Sequence, residues 1–87
     1  MSEIQHLSDK HCFTLATDGK EAVLEYRLLN SDDSGEPTGV NFTYTYVPPE
    51  MRGKGLAEAL VRHGLKWARD HNYDIRATCW YVAKFLH

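Results

Sequence analysis

Val47-Pro48-Pro49-Glu50-Met51-Arg52-Gly53-Lys54-Gly55-Leu56-Ala57 joins two stretches of different periodicity. Before it, residues 40–47 alternate as a strand does; after it, an apolar stripe recurs at helical spacing. Two prolines stop the strand, since neither can donate to a ladder, and a basic glycine turn opens the helix. The first backbone N–H groups of a helix have no partner inside it, and the helix dipole adds partial positive charge there. Arg52 and Lys54 add full charges, while Gly53 and Gly55 let the main chain approach a ligand with no Cβ in the way. Such a turn suits a phosphate or pyrophosphate.

Three phosphate turns compete for this stretch. The P-loop needs an earlier glycine and a Ser or Thr after Gly-Lys; here Gly55 stands in that place, which excludes it. The dinucleotide fingerprint fits at Gly53 and Gly55, but its third glycine position holds Glu58, and no parallel β-α unit precedes it. The third pattern, R/Q-x-x-G-x-G/A, matches Arg52-Gly53-Lys54-Gly55-Leu56-Ala57 position by position. It is the coenzyme A pyrophosphate loop of the GNAT N-acetyltransferase superfamily. With a strand before it, a helix after it and Cys79-Trp80-Tyr81-Val82 at the end of the next strand, the chain resembles the small, YjdJ-like branch of those enzymes over roughly residues 12–86. An ordinary glycine turn with two solvated cations is the plain alternative.

Composition bounds the rest. A chain of 87 residues, 43% apolar and 25% charged, reads as one globular domain over residues 1–87. A net charge of −2 argues against bulk affinity for nucleic acid or an anionic membrane surface. No apolar run approaches the ~20 residues of a membrane span, and the first residues lack a secretory layout. The expected address is the cytoplasm. Two cysteines far apart make neither a zinc framework nor a disulfide scaffold, so no metal site is expected.

Taken in order, residues 1–10 read as a polar lead-in. Residues 12–17 and 21–29 read as strands joined by an Asp18-Gly19 turn, with Phe13 and Leu15 sharing one face of the first and Ala22, Leu24, Tyr26 and Leu28 one face of the second. Cys12 reads as a small buried residue. Residues 30–39 form a loop by composition; its acids, Asp32, Asp33 and Glu36, lack calcium-loop spacing. In residues 40–47, Val40, Phe42, Tyr44 and Tyr46 alternate with Asn41, Thr43, Thr45 and Val47. A helix over 55–71 carries Ala57, Leu60, Val61, Gly64, Leu65 and Ala68 in one stripe, and Asn72 caps it. Gly64 costs helix stability unless it permits close packing. Residues 74–79 form the last strand, parallel to 40–47 because a helix joins them, and 80–86 a short helix. The expected fold is an α/β domain with a mixed sheet, in the order β-β-β-α-β-α.

The resemblance implies more. In a small GNAT-like (acyl-CoA N-acyltransferase) fold the last two strands are parallel and splayed, and acetyl-CoA enters the gap, here between Tyr44–Val47 and Ala77–Cys79. Its pyrophosphate would rest on Arg52, Gly53, Lys54, Gly55, Leu56 and Ala57. A backbone N–H near Tyr46 or Val47 would face the oxygen that gains charge when an amine attacks the thioester. Cys79 occupies the position of the branch's characteristic cysteine; it would form a transient acetyl-cysteine, protonate the leaving thiolate, or shape the pocket. Tyr81 stands where many of these enzymes place a proton-donating tyrosine, and a core or rim role is equally open to it. The partners implied are acetyl-CoA and an amine acceptor, either a small molecule or a protein lysine or N-terminus. Two departures matter. Relatives in the branch often carry a histidine and an acid where Tyr44 and Tyr46 stand here, which leaves the general base unassigned. The N-terminal helices that build the amine pocket in longer enzymes are also missing, so that side is open unless a second copy, as in a homodimer, or a protein partner completes it. An acyl-CoA-binding module with little or no turnover is the rival reading.

Overall fold

The computed structural model describes residues 3–17, 19–30, 35–53 and 55–86. Lys54, Asp18, Asp32 and Asp33, each singled out from the sequence, lie outside them. Five strands form one sheet in sequence order: β1 (Glu3–Leu7), β2 (Cys12–Thr17), β3 (Lys20–Leu29), β4 (Gly39–Tyr46) and β5 (Asp74–Ala77). The first four pair antiparallel, and β4 pairs with β5 in parallel. Helix α1 (Leu56–Asp70) makes the β4-to-β5 connection, and α2 (Trp80–Ala83) follows β5. This is a mixed α/β sheet of the small GNAT-like type, with the last two strands parallel as expected.

The polar start of the chain is a strand rather than a lead-in. β1 lies against β2 with His6 opposite Phe13 and Ile4 opposite Leu15, so the His6 ring and the Ile4 side chain extend the core face. The signal was weak because only Ile4 and Leu7 of its five residues are apolar, at a spacing that is not the alternation of a strand. Two further boundaries move by two residues or more: β5 stops at Ala77 and α2 at Ala83, each shorter than the sequence suggests.

The core lies between one sheet face and α1. Phe13, Leu15, Ala22, Leu24, Tyr26, Val40 and Phe42 meet Leu60, Val61, Leu65 and Ala68 there, all at most 3% exposed. α2 sits on the same face, since Val82 joins that cluster and Phe85 lines a groove with Leu65. Cys12 and Thr14 point to the other face yet are buried as well. They are short side chains set between longer cross-strand neighbours, Leu7 and Gln5 on one side and Glu25 and Val23 on the other.

Gly64 has the close-packing reason that its place in the stripe called for. A Cβ built there would fall 2.8 Å from Leu24 Cδ2 and 3.2 Å from Phe42 Cε1, so the bare backbone lets α1 settle onto the sheet. The helix ends as the Asn72 reading anticipated. Asn72 adopts φ 58°, its N–H bonds to Arg69 O at 3.0 Å, and Tyr73 N bonds to Ala68 O at 3.0 Å. That pair of bonds is a Schellman motif, which satisfies carbonyls the helix end would otherwise leave open.

One irregularity reorganises β4. Glu25 pairs with Tyr44, but Tyr26 pairs with Phe42, so Thr43 is an extra residue in the ladder. Because side chains alternate with period two, one inserted residue moves everything after it to the opposite face. The expected alternation therefore holds for Val40 and Phe42 and fails beyond them. Thr45 shares the helix-covered face with Leu24, its partner, while Tyr44 and Tyr46 fall on the other face, 49% and 44% exposed.

Candidate functional site

β4 and β5 part at this bulge. Their last paired residues are Phe42 and Ala77, although β4 runs on to Tyr46 alongside β3. The exit of β5 is pinned at the parting point: Thr78 N and Cys79 N both donate to Phe42 O, at 3.1 and 3.2 Å, and Thr78 N also lies 3.1 Å from Asn41 Oδ1. The chain then turns into α2, with Cys79 as its N-cap rather than as a strand residue.

The wedge so formed opens into a cavity of about 590 Å³, within the range of small-molecule sites. Val47 and Thr45 line it from β4 and its exit, Arg52, Gly53, Gly55, Leu56 and Ala57 from the turn and first helical residues, and Cys79 and Tyr81 from the far wall. Eight of the sequence-derived site residues thus meet around one space, with Val47, Cys79 and Tyr81 beside the five residues of the turn. Tyr46 is not among the lining residues; its ring lies on the other face of the sheet, for the reason given by the bulge.

The turn is built to hold its shape. Pro49–Met51 make one turn of 3-10 helix, closed by Met51 N to Pro48 O at 2.9 Å, and the Met51 side chain is 2% exposed, anchoring the turn in the core. Arg52 Nε donates to Val47 O at 3.0 Å and ties the two ends of the connection together. Gly53 and Gly55 adopt φ 79° and 75°, a left-handed conformation that L side chains rarely take, and a Cβ at either would meet only open space. Gly55 is the N-cap of α1, and the first helical bond runs from Ala59 N to Gly55 O. The N–H groups of Leu56, Ala57 and Glu58 precede that bond and are left by the helix for another acceptor. Glu58 would oppose an anion here, but its carboxylate is ion-paired with Arg62 one turn along.

Cys79 differs chemically from the other cysteine. Burial acts to raise its thiol pKa, but this is outweighed by the Thr45 hydroxyl and by the backbone N–H groups of Val82, Tyr81 and Thr45, so the thiol is lowered overall. Thr45 Oγ1 lies 3.5 Å from the sulfur. Cys12, on the other face of the sheet, is pushed the opposite way by burial and then by the Glu25 carboxylate. Lowered pKa means more thiolate, the nucleophilic form. Tyr81 packs edge-on against Phe85, with ring centroids 5.5 Å apart, and Lys84 Nζ lies 4.8 Å from its ring centre. No group of three or more His, Cys, Asp or Glu that could hold a metal occurs among the described residues.

Four lining residues, Thr45, Met51, Glu58 and Trp80, were not assigned to the site from the sequence. Thr45 was hidden by the bulge and Met51 by its place in a turn. Only Met51 left a signal, as the one large apolar residue between Pro49 and the glycines.

A sheet parted between two parallel strands, with a glycine turn at the head of the connecting helix, is the arrangement of the small GNAT-like α/β fold. The profile of the family described as GCN5-related N-acetyl-transferase matches residues 12–87, and the chain belongs to that family. It is similar to protein NATD1 of Mus musculus, 32% identical over 85 residues, which cover 95% of this chain and 72% of the relative. Protein NATD1 of Gallus gallus is 27% identical over 86 residues, covering 97% and 73% of the two chains. Protein NATD1 of Homo sapiens is 27% identical over 85 residues, covering 95% and 70%.

Proposed function

We propose that the protein is an acetyl-CoA-dependent N-acetyltransferase, with the coenzyme pyrophosphate on the turn from Arg52 to Ala57. The observation that carries this reading is the meeting of that turn and a thiol of lowered pKa at opposite walls of one cavity. Backbone N–H groups of Gly53, Gly55, Leu56 and Ala57, with the remaining donors of Arg52, would bind the diphosphate. Lys54 belongs to the same reading through its place in the motif. The acyl end would reach Cys79 through the wedge.

The lowered thiol pKa favours a nucleophile over a proton donor at Cys79. Its thiolate attacks the thioester carbonyl, the coenzyme leaves as a thiolate, and an amine then takes the acetyl group from sulfur and releases one proton. Tyr81, on the same wall, would supply a proton to the leaving sulfur. A main-chain N–H at Tyr46 or Val47 would stabilise the charged oxygen in each step. The acceptor is an amine of a metabolite or a protein, and the unpaired cysteines favour a reducing, cytoplasmic setting. No helix among the described residues is long and apolar enough to cross a membrane. We read residues 1–87 as a single domain, with a second copy or a partner able to complete the acceptor side.

Thermal unfolding with coenzyme A, acetyl-CoA and inorganic phosphate tests the binding half. Coenzyme at 100 times its dissociation constant should stabilise the fold by about 2.7 kcal/mol, with far less from equal phosphate. Equal shifts for the two would remove the proposal. A second reading, an acyl-CoA-binding module without turnover, is favoured by one observation: Tyr44 and Tyr46, at the places of the branch's histidine and acid, face away from the cavity. Coenzyme-dependent stabilisation without coenzyme release from acetyl-CoA, across a panel of amines, would select it.

A further inference from the structure

The bulge at Thr43 has a chemical result at the cavity wall. Without it, residue 45 would face away from α1 and a tyrosine would take its place beside Cys79; with it, a small hydroxyl points into the wedge. Thr45 Oγ1 then stands 3.5 Å from Cys79 Sγ, across the point where β4 and β5 separate. We propose that Thr45 is the positioning residue of the reactive thiol, its hydroxyl donating to the Cys79 sulfur and fixing it against the parted strands. The inference rests on the reading of Cys79 as the reacting group.

Geometry favours Thr45 in this role over its neighbours. Cys79 is held by its main chain at Phe42 O on one side, while Ala83 N donates to Cys79 O at 3.0 Å on the other, so only the side-chain torsion is left to set. Thr45 approaches from a different strand and contacts the sulfur itself. Either atom could donate when the cysteine is a thiol; when it is a thiolate the sulfur can only accept, and the hydroxyl must donate. A hydrogen bond to a charged acceptor is the stronger kind, so this contact favours the ionised form over the neutral one. A β-branched side chain in a strand is also stiff at its first torsion, which keeps the oxygen aimed.

The test needs no coenzyme, so it can fail while the acetyltransferase reading stands, and the reverse. The rate of iodoacetamide alkylation at Cys79 is followed by peptide mass spectrometry from pH 5.5 to 9.5 in the parent, Thr45→Val and Thr45→Ser. Valine keeps the shape and removes the hydroxyl; it should move the alkylation midpoint to higher pH and slow modification at neutral pH about tenfold. Serine, which restores the donor, should return most of that loss. Cys12, buried on the other face, reports loosening of the fold: a variant that unfolds would expose both thiols together. To separate positioning from folding further, Thr45→Ala removes both hydroxyl and methyl, and it should alkylate as slowly at neutral pH as Thr45→Val. A valine variant with the parent's pH profile, or a serine variant indistinguishable from valine, overturns the proposal.

Discussion

His6 shows how much one side chain can be asked to do at the end of the sheet remote from the cavity. Its Nε2 lies 2.6 Å from the Tyr26 hydroxyl, and its ring stacks on Phe13 with centroids 4.2 Å apart and meets the edge of Trp67 at 5.0 Å. Burial, and then the nearby His63, His71 and His11, lower its pKa. The unfolded chain therefore takes up a proton near the ordinary value of about 6.5 where the folded chain still resists it. This contribution to stability is complete above that value and is lost as the pH falls through it toward the folded pKa. Chemical denaturation at pH 7.5 and 5.5 should show a lower midpoint in acid, and His6→Gln should flatten the difference; an unchanged slope would clear His6. Gly55 makes a separate case at the same scale. At φ 75° and with nothing within 4 Å of a built Cβ, Gly55→Ala should cost about 1–2 kcal/mol through backbone conformation alone. Under the proposed function Gly55→Glu should lose coenzyme affinity beyond what that strain explains, because it adds bulk and like charge at the anion turn. Titration calorimetry on both variants measures the difference.

At the level of elements, helix α1 was legible almost to its ends, because its apolar stripe is regular and its C-terminal Asn72 takes a conformation few residues tolerate. The strands were legible as strands but not in their facing. Residues 40–46 alternate so cleanly that nothing in them marks Thr43 as surplus; the bulge arises only in pairing with β3, and the alternation then assigns Tyr44, Thr45 and Tyr46 to the wrong faces. The glycine turn escaped this difficulty because its signal is a local conformation, not a period. Helix-to-sheet contact gives the sharper prediction. Gly64→Ala gains helix propensity of about 1 kcal/mol, yet its methyl would press into Leu24 and Phe42. Overpacking costs about 1–3 kcal/mol, so the variant should be less stable despite the better helix former. A higher urea midpoint would mean that the sheet gives way easily.

Across the whole molecule the two ends of the sheet have different tasks. One carries the ring cluster around Trp67 and Tyr26, with β1 supplying His6 and Ile4; the other carries the wedge. Removing residues 1–10 should therefore unpair β2 and lower the melting temperature well before it alters the cavity, whose lining contains no residue of β1. Coenzyme-dependent stabilisation of the truncated chain at low temperature, measured beside the parent, checks that separation under the proposed function. The Arg52 bond to the Val47 carbonyl carries a consequence for affinity. Because that clasp already shapes the connection before any anion arrives, docking need not spend free energy on ordering a slack loop. Cutting it with Arg52→Met should thus add a less favourable binding entropy to the loss of the guanidinium's own contact with the anion, the mark of a socket that must be assembled anew each time it is filled.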